Sequence, residues 1–211
     1  MIPQTNGFYI KQTRDKISIS EFVFALYQRV FGPKYQWGGN YYSDIRMDDI
    51  KYANDSIILV AYPNDEYEPA MILGTIRAIF KKDGKPLPIE KDFKINCEKI
   101  LLEKNEFCQV DQIAEIARFA TNHALSQDLQ ISPQHVIALD LIKELIYLLE
   151  VKKIKFCFAS IDEKVFQWFK QIGLPWQIIE EKKFYKGSPT LPALIKMSEI
   201  KDNMKIHNPK L

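Results

Sequence analysis

Gln112-Ile113-Ala114-Glu115-Ile116-Ala117-Arg118-Phe119-Ala120 is an apolar run interrupted by two full charges. Its β-branched, aromatic and small apolar residues predict a strand over residues 110–120. A charge inside a buried strand requires a partner, because taking it out of water is unfavourable unless it is paired or hydrogen-bonded. Strict alternation sends Glu115 and Arg118 to opposite faces of a sheet. A β-bulge between them turns both to one side, a device that often re-aims side chains at active sites. Two readings stand side by side. In one, a residue of the pair meets a structural neighbour and the other reaches solvent. In the other, both serve a site.

Outward from this segment, two further apolar runs precede it. Residues 56–62 are continuously apolar and are bounded by Pro63-Asn64-Asp65, which predicts a strand buried on both faces. Residues 70–80 form the next strand, closed by a turn at Lys82-Asp83-Gly84, with residues 63–69 as the hairpin loop between the two. Arg77 sits inside that second run and calls for a carboxylate or an anionic ligand; the alternative is a strand-end arginine extending to water. Gly74 leaves room for close backbone approach by a ligand.

Toward the N-terminus, residues 7–12 predict a short strand. Residues 18–31 predict a helix capped by Ser18 or Ser20, with Phe22, Leu26 and Val30 at helical spacing and Gly32-Pro33 as its stop. Residues 35–55 read as a long irregular loop containing Gly38-Gly39-Asn40, aromatics and carboxylates. Toward the C-terminus, Ser132 caps and Pro133 opens a long helix reaching about Glu150. Asp140, Lys143, Glu144 and Tyr147 make its one polar stripe. A strand over 155–159, a helix over 163–172 stopped by Gly173, and extended segments at 176–185 and 191–197 complete the reading. This order predicts one α/β domain over residues 1–211, with a mixed sheet and helices on both faces.

Composition narrows the function. The chain has 211 residues, 46% hydrophobic and 27% charged, values of an ordinary globular domain. A formal net charge of +2 provides no strong field to steer the chain to nucleic acid. No apolar run is long enough to span a bilayer, and residues 1–15 lack the core of a signal peptide, so a cytoplasmic protein is expected. Cys97, Cys108 and Cys157 lack CxxC spacing and read as reduced thiols. His123, His135 and His207 form no HExxH-like pattern, and no metal is expected.

Several short motifs now line up. Arg29-Val30-Phe31, Trp37, the acidic stretch Met47-Asp48-Asp49, Gly74-Thr75-Ile76-Arg77 and Glu115-Ile116-Ala117-Arg118-Phe119 resemble, in order, the signature of acyl-homoserine-lactone (autoinducer) synthases. That signature runs Arg-x-Phe, a Trp, two aspartates, an arginine after a Gly-Ser-like pair, and Glu-x-Ser-Arg-Phe. Leu87-Pro88-Ile89-Glu90 resembles a segment of the related N-acyl amino acid synthases and exosortase-associated acyltransferases. So does the ending from Gly173-Leu174-Pro175 through Tyr185-Lys186-Gly187 to Leu191-Pro192-Ala193-Leu194. The chain departs from the pattern at three points: Lys51 stands where the second aspartate is expected, Ala117 replaces the serine, and Ser188 replaces an arginine.

The resemblance implies the GNAT fold, a three-layer α/β/α architecture around a mixed central sheet. It implies transfer of a fatty-acyl group from an acyl thioester, on acyl carrier protein or coenzyme A, to the amine of an amino acid or related small acceptor. In that reading Glu115 is the base that takes the amine proton. Arg29, Arg77 and Arg118 face Asp48 and Asp49 or an acceptor carboxylate, and Phe31, Trp37 and Phe119 shape the acceptor pocket. Between Phe119 and Pro133 there is no glycine, so the glycine-rich turn whose amides bind pyrophosphate in acetyl-coenzyme A enzymes is missing. Acyl carrier protein as donor accords with that absence, and Lys152, Lys153 and Lys155 are candidate contacts for its acidic surface. A generic acetyl-coenzyme A N-acetyltransferase and a non-catalytic GNAT-like binding module remain the alternatives.

Overall fold

The structure is a computed structural model and describes residues 7–35, 40–63, 68–131 and 134–203. The chain divides into two compact units of interleaved segments, 1–79 with 116–149 and 80–115 with 150–211.

In the first unit, β1 (Tyr9–Thr13) pairs antiparallel with β2 (Ser56–Tyr62), and β2 pairs antiparallel with β3 (Gly74–Phe80). Next to β3 runs β4 (Ile113–Thr121), so the three apolar runs read from sequence are adjacent strands. Six consecutive residues of β2 are buried, as a strand covered on both faces requires. Helix α1 (Lys16–Tyr35) is capped by Asp15, whose Oδ1 accepts the Ser18 N–H at 3.1 Å; Ser18 and Ser20 do not perform that role. The expected stop at Gly32-Pro33 does not hold: the helical backbone continues through it to Tyr35, although the proline removes one N–H bond and crowds the carbonyl four residues back.

The expected loop over 35–55 is instead mostly helical. Helix α2 (Asn40–Lys51) and a 3-10 turn at Ala53–Asp55 occupy it, while Gly38, Gly39 and Trp37 lie outside the described residues. The helix buries Ile45 and Asp49, and Tyr52 just past its end is buried as well, so the middle member of the buried series is charged. An apolar periodicity therefore fails to register it. Ile19, Val23, Ile45, Ile58, Val60, Tyr62 and Ile72 form the core against which Phe22, Phe24 and Tyr27 pack.

Other boundaries shift for identifiable reasons. Pro69 opens a 3-10 turn at Pro69–Met71, so β3 starts at Gly74. A second turn at Val110–Gln112 delays β4 to Ile113. Asn122 ends β4: its N–H donates to Leu73 O at 2.7 Å and its side chain caps α5 (His123–Asp128). The long helix, α6 (Gln134–Val151), buries Ile137, Leu141, Ile142, Leu145 and Leu149, and exposes Lys143 and Tyr147 from the expected polar stripe. Ser132 and Pro133 lie outside the described residues.

In the second unit, β5 (Phe156–Asp162) pairs antiparallel with β8 (Ser188–Lys196), which also pairs with β6 (Gln177–Ile178) and β7 (Lys183–Tyr185). Between β5 and β6 lies α7 (Glu163–Gln171), capped by Asp162 and ended at Gly173, whose φ of 84° suits glycine. Three short helices were not apparent from the sequence pattern: α3 (Pro88–Phe93), α4 (Cys97–Glu103) and α8 (Met197–Asn203). Six or seven residues give too few turns for an apolar period to show. Phe93, Cys97, Leu101, Ile113, Phe156 and Phe158 are among this unit's buried residues. The fold is α/β with a mixed sheet. Among the described residues no helix is long and apolar enough to cross a membrane.

Candidate active site

The strand with the two charges is continuous, but its backbone departs from the extended form at one of them. Within β4, Arg118 adopts φ 54°, left-handed backbone that a non-glycine residue holds only when its surroundings over-determine it. Regular alternation therefore does not hold through the segment from Glu115 to Arg118. Both residues are buried, Glu115 at 3% exposure and Arg118 at 8%.

In the first unit, the surroundings of Arg118 are explicit. Asp49, on the inward face of α2 and 1% exposed, takes both strand arginines on one oxygen. Arg118 Nε donates to Asp49 Oδ1 at 3.1 Å, and Arg77 Nη1 donates to the same oxygen. Ser20 Oγ donates to Asp49 Oδ2 at 2.7 Å, and Arg118 Nη2 donates to Ile45 O at 3.2 Å. Asp48 is half-buried, with Oδ2 at 3.9 Å from Arg118 Nη2. Burial alone acts to lower the pKa of Arg118, but the charge of Asp49, with Tyr27 and Asp48 behind it, outweighs burial and raises it. The guanidinium stays charged.

Among the expected site residues, the structure thus brings Asp49, Arg77 and Arg118 into one ion cluster with Asp48 at its margin. Arg29 does not join them: its Nη2 donates to Asn122 Oδ1 at 2.9 Å. Phe119 is half-buried on β4. The side chain of Phe31, like all of Trp37, lies outside the described residues. Gly74 admits the protein's own atoms, since a Cβ there would meet Leu141 Cδ1 at 3.0 Å and Ala120 O at 3.1 Å.

Glu115 has its own setting in the second unit. Its Oε2 accepts the Ile89 N–H at 2.9 Å, inside the Leu87-Pro88-Ile89-Glu90 segment. One residue on, Glu90 accepts the N–H of Leu87 at 2.8 Å and of Cys97 at 3.0 Å, and pairs with Lys81 at 2.7 Å. Lys81 also lies 3.4 Å from the half-exposed Glu98. Burial favours the neutral acid of Glu90, yet the Lys81 hydrogen bond and the two backbone donors outweigh it and hold the carboxyl below its ordinary range. Burial likewise opposes the charged form of Lys81, and Glu90 overrides it, so the ammonium is held above its ordinary range. Cys97, beside these groups, is pushed up first by burial and then by Glu90 and Glu115. It is a buried, inert thiol.

Sequence reasoning did not find Ser20, Lys81 or Asn122. None carries a spacing signal: Ser20 acts through Asp49 on another helix, Asn122 through the distant Arg29, and Lys81 through Glu90 across an irregular turn. Glu90 was visible only as part of a motif, without a role. As a chemical device, Glu115 is a buried carboxyl group that accepts the Ile89 backbone N–H, and the ion cluster holds two fixed cations on one aspartate. The start of α5 is capped internally, the Leu125 N–H donating to Asn122 Oδ1 at 3.3 Å. Among the described residues no group of His, Cys, Asp and Glu is placed to hold a metal ion.

No protein-family model and no curated protein sequence matches the chain. Solved structures do. FeeM, an N-acyl amino acid synthase from uncultured soil microbes, is 14% identical with a TM-score of 0.68, over 98% of this chain and 100% of that one. The acyl-homoserine-lactone synthase LasI is 15% identical with a TM-score of 0.57, over 90% of this chain and 89% of that one. PaiA N-acetyltransferase from Thermoplasma acidophilum, solved with coenzyme A, is 11% identical with a TM-score of 0.51, over 90% of this chain and 98% of that one. The chain is thus similar in fold to N-acyl amino acid synthases, acyl-homoserine-lactone synthases and acetyltransferases, and its architecture is the α/β fold of the GNAT type.

Proposed function

We propose that residues 1–211 form one N-acyltransferase domain, which moves a fatty-acyl group from a thioester to the amine of an amino acid or related small metabolite. The observation that carries this reading is the left-handed backbone of Arg118 within β4, with the buried Glu115 three residues before it, in a fold shared with such synthases. A left-handed residue in a strand removes its neighbours from the regular ladder and leaves backbone N–H groups to receive a developing oxyanion.

In this reading Glu115 accepts a proton from the acceptor ammonium, directly or through water. The neutral amine attacks the thioester carbonyl, an N–C bond forms, and the oxygen becomes anionic. Collapse breaks the C–S bond, the thiolate departs and is protonated, and the nitrogen gives up its second proton. In this reading the Asp49 cluster holds α2 and β4 in place, and an acceptor carboxylate approaches the Arg118 guanidinium from the margin where Asp48 lies. Acyl carrier protein as donor is supported by the internally capped α5, by the lack of glycine between Phe119 and Pro133, and by the exposure of Lys152, Lys153 and Lys155. The three free cysteines suit a reducing compartment, so we place the enzyme in the cytoplasm.

Two observations favour other readings. The likeness to an acetyltransferase solved with coenzyme A favours acetyl-coenzyme A as donor. The protein partners of Glu115, Arg77 and Arg118 favour a non-catalytic module in which these residues serve only the fold. The deciding experiment offers acyl-carrier-protein and coenzyme A thioesters of graded chain length with a panel of amino acids, and reads products by mass spectrometry. Long-chain N-acyl amino acids support the proposal, acetylated products alone select the second reading, and no product with any pair selects the third.

A further inference from the structure

The Leu87-Pro88-Ile89-Glu90 segment makes two kinds of contact from adjacent residues. Its Ile89 N–H is spent on Glu115, and its Glu90 side chain is spent on fixing the segment itself. Glu90 closes the turn through the Leu87 N–H and ties it to the first turn of α4 through the Cys97 N–H. It is neutralised by Lys81, which directly follows β3 and whose own N–H donates to Ile113 O at 2.9 Å, two residues before Glu115 on β4. Four groups from three chain segments therefore set where one amide proton points.

We infer that Glu90, locked by Lys81, is a positioning residue that aims the Ile89 N–H at Glu115 and sets the protonation range of that carboxylate. The inference rests on the reading of Glu115 as the base. A carboxylate that accepts a fixed backbone N–H is favoured in its charged form, and a second carboxylate nearby disfavours it unless neutralised. Lys81 provides that neutralisation. The titratable groups tied to the segment that holds the Ile89 N–H are Lys81 after β3, Glu90 on α3, and Cys97 and Glu98 on α4. On β5, which packs against α3, they are the buried thiol of Cys157 and the α7 cap Asp162. Cys97 and Cys157 are held protonated by burial, and the opposed charges on the segment that presents the Ile89 N–H to Glu115 are Glu90 and Lys81.

The test uses the full chain with carboxyl-carbon labelled glutamate and follows the Glu115 resonance, assigned by its loss in Glu115→Gln, through a pH titration by NMR. The acidic limb of the acyl-transfer rate is recorded in parallel. Lys81→Met strips the neutralising cation and should raise the Glu115 midpoint by roughly 1 unit or more. Glu90→Gln keeps a side-chain oxygen to accept from the Leu87 or Cys97 N–H, so the Ile89 N–H stays aimed, but it removes the negative charge and frees the cation, and should lower the midpoint. Lys81→Arg should restore the wild-type value. Opposite shifts with rescue support the inference, since loss of a merely structural contact would not move the midpoint in opposite directions. Midpoints unmoved in both variants overturn it. Should Lys81→Met fail to fold, the downward shift in Glu90→Gln decides alone. Unchanged turnover in Glu115→Gln refutes the base reading, whereas the resonance still reports whether Glu90 and Lys81 govern the carboxylate.

Discussion

Arg118 Nε donates to Asp49 Oδ1 at 3.1 Å across 69 positions of the chain, with both side chains buried. This contact explains how a left-handed arginine is tolerated in the middle of β4: the guanidinium is held by α2 through Asp49 and through Ile45 O. The same aspartate serves Arg77, so its removal withdraws the shared anion from two buried cations.

Asp49→Ala should therefore destabilise the fold severely, by about 3–5 kcal/mol, the range for removing one member of a buried ion pair. Denaturant unfolding monitored by circular dichroism checks it. Asp48→Ala, at the half-buried margin, should have a far smaller effect, and equal losses in the two variants would contradict the ranking drawn from their burial.

Glu115→Gln should keep the fold, because the glutamine Oε1 still accepts the Ile89 N–H while the charge is lost. Turnover should fall by roughly 10²–10⁴-fold, the usual loss of a general base. Donor binding should change little, since the base acts on the acceptor amine. A folded Glu115→Gln variant with wild-type turnover would falsify the assigned role.

The Lys81–Glu90 pair gives stability a defined pH window. Glu90 is held below its ordinary 4.5, so its contribution is complete above that value and is lost as pH falls through the depressed folded value. Lys81 is held above its ordinary 10.5, so its contribution is complete below that value and is lost as pH rises beyond the raised one. Melting temperatures across pH should show both flanks, and Lys81→Met/Glu90→Gln, which removes both charges, should flatten them.

Gly74→Ala should destabilise by about 1–3 kcal/mol through overpacking. The added Cβ meets Leu141 Cδ1 at 3.0 Å, which can swing aside, and Ala120 O at 3.1 Å, which belongs to a paired strand and cannot. A thermal melt equal to wild type would mean that β3 and β4 separate more readily than their spacing implies.

Thiol labelling separates the cysteines. Cys97 and Cys157 are buried and their thiols are pushed well above the ordinary range, so they should react only on unfolding. Cys108 is only half-buried; burial raises its thiol too, but its partial exposure should let it react first in the native protein.

The parts of this fold that were legible in sequence are those with uniform chemistry. β2 is a run of apolar residues and its bounds were read to the residue, Ser56–Tyr62. The need for partners at Arg77 and Arg118 was also legible, because a charge in a buried strand admits few resolutions, and Asp49 supplies one for both. Helix α2 was not, since its buried face carries Asp49 between Ile45 and Tyr52 and so looks polar. Nor was the setting of Glu115. Its donor is a main-chain amide, and the identity of Ile89 carries no trace of that role. The glutamate that shapes the turn, Glu90, looks in sequence like any exposed helix-start carboxylate.

The spread of residues around Asp49 also orders events during synthesis. Ser20 and Arg77 leave the ribosome well before Arg118, which enters only after the whole of residues 80–115 has been made. At translation speeds of roughly 5–20 residues per second, that insertion delays completion of the cluster by about 2–7 seconds. For that interval the nascent first unit lacks both its last strand and its second guanidinium, and a half-neutralised aspartate faces water. The residues between Phe80 and Glu115 thus act as a timer, and a longer insertion there would extend the period in which chaperones meet an unfinished sheet edge.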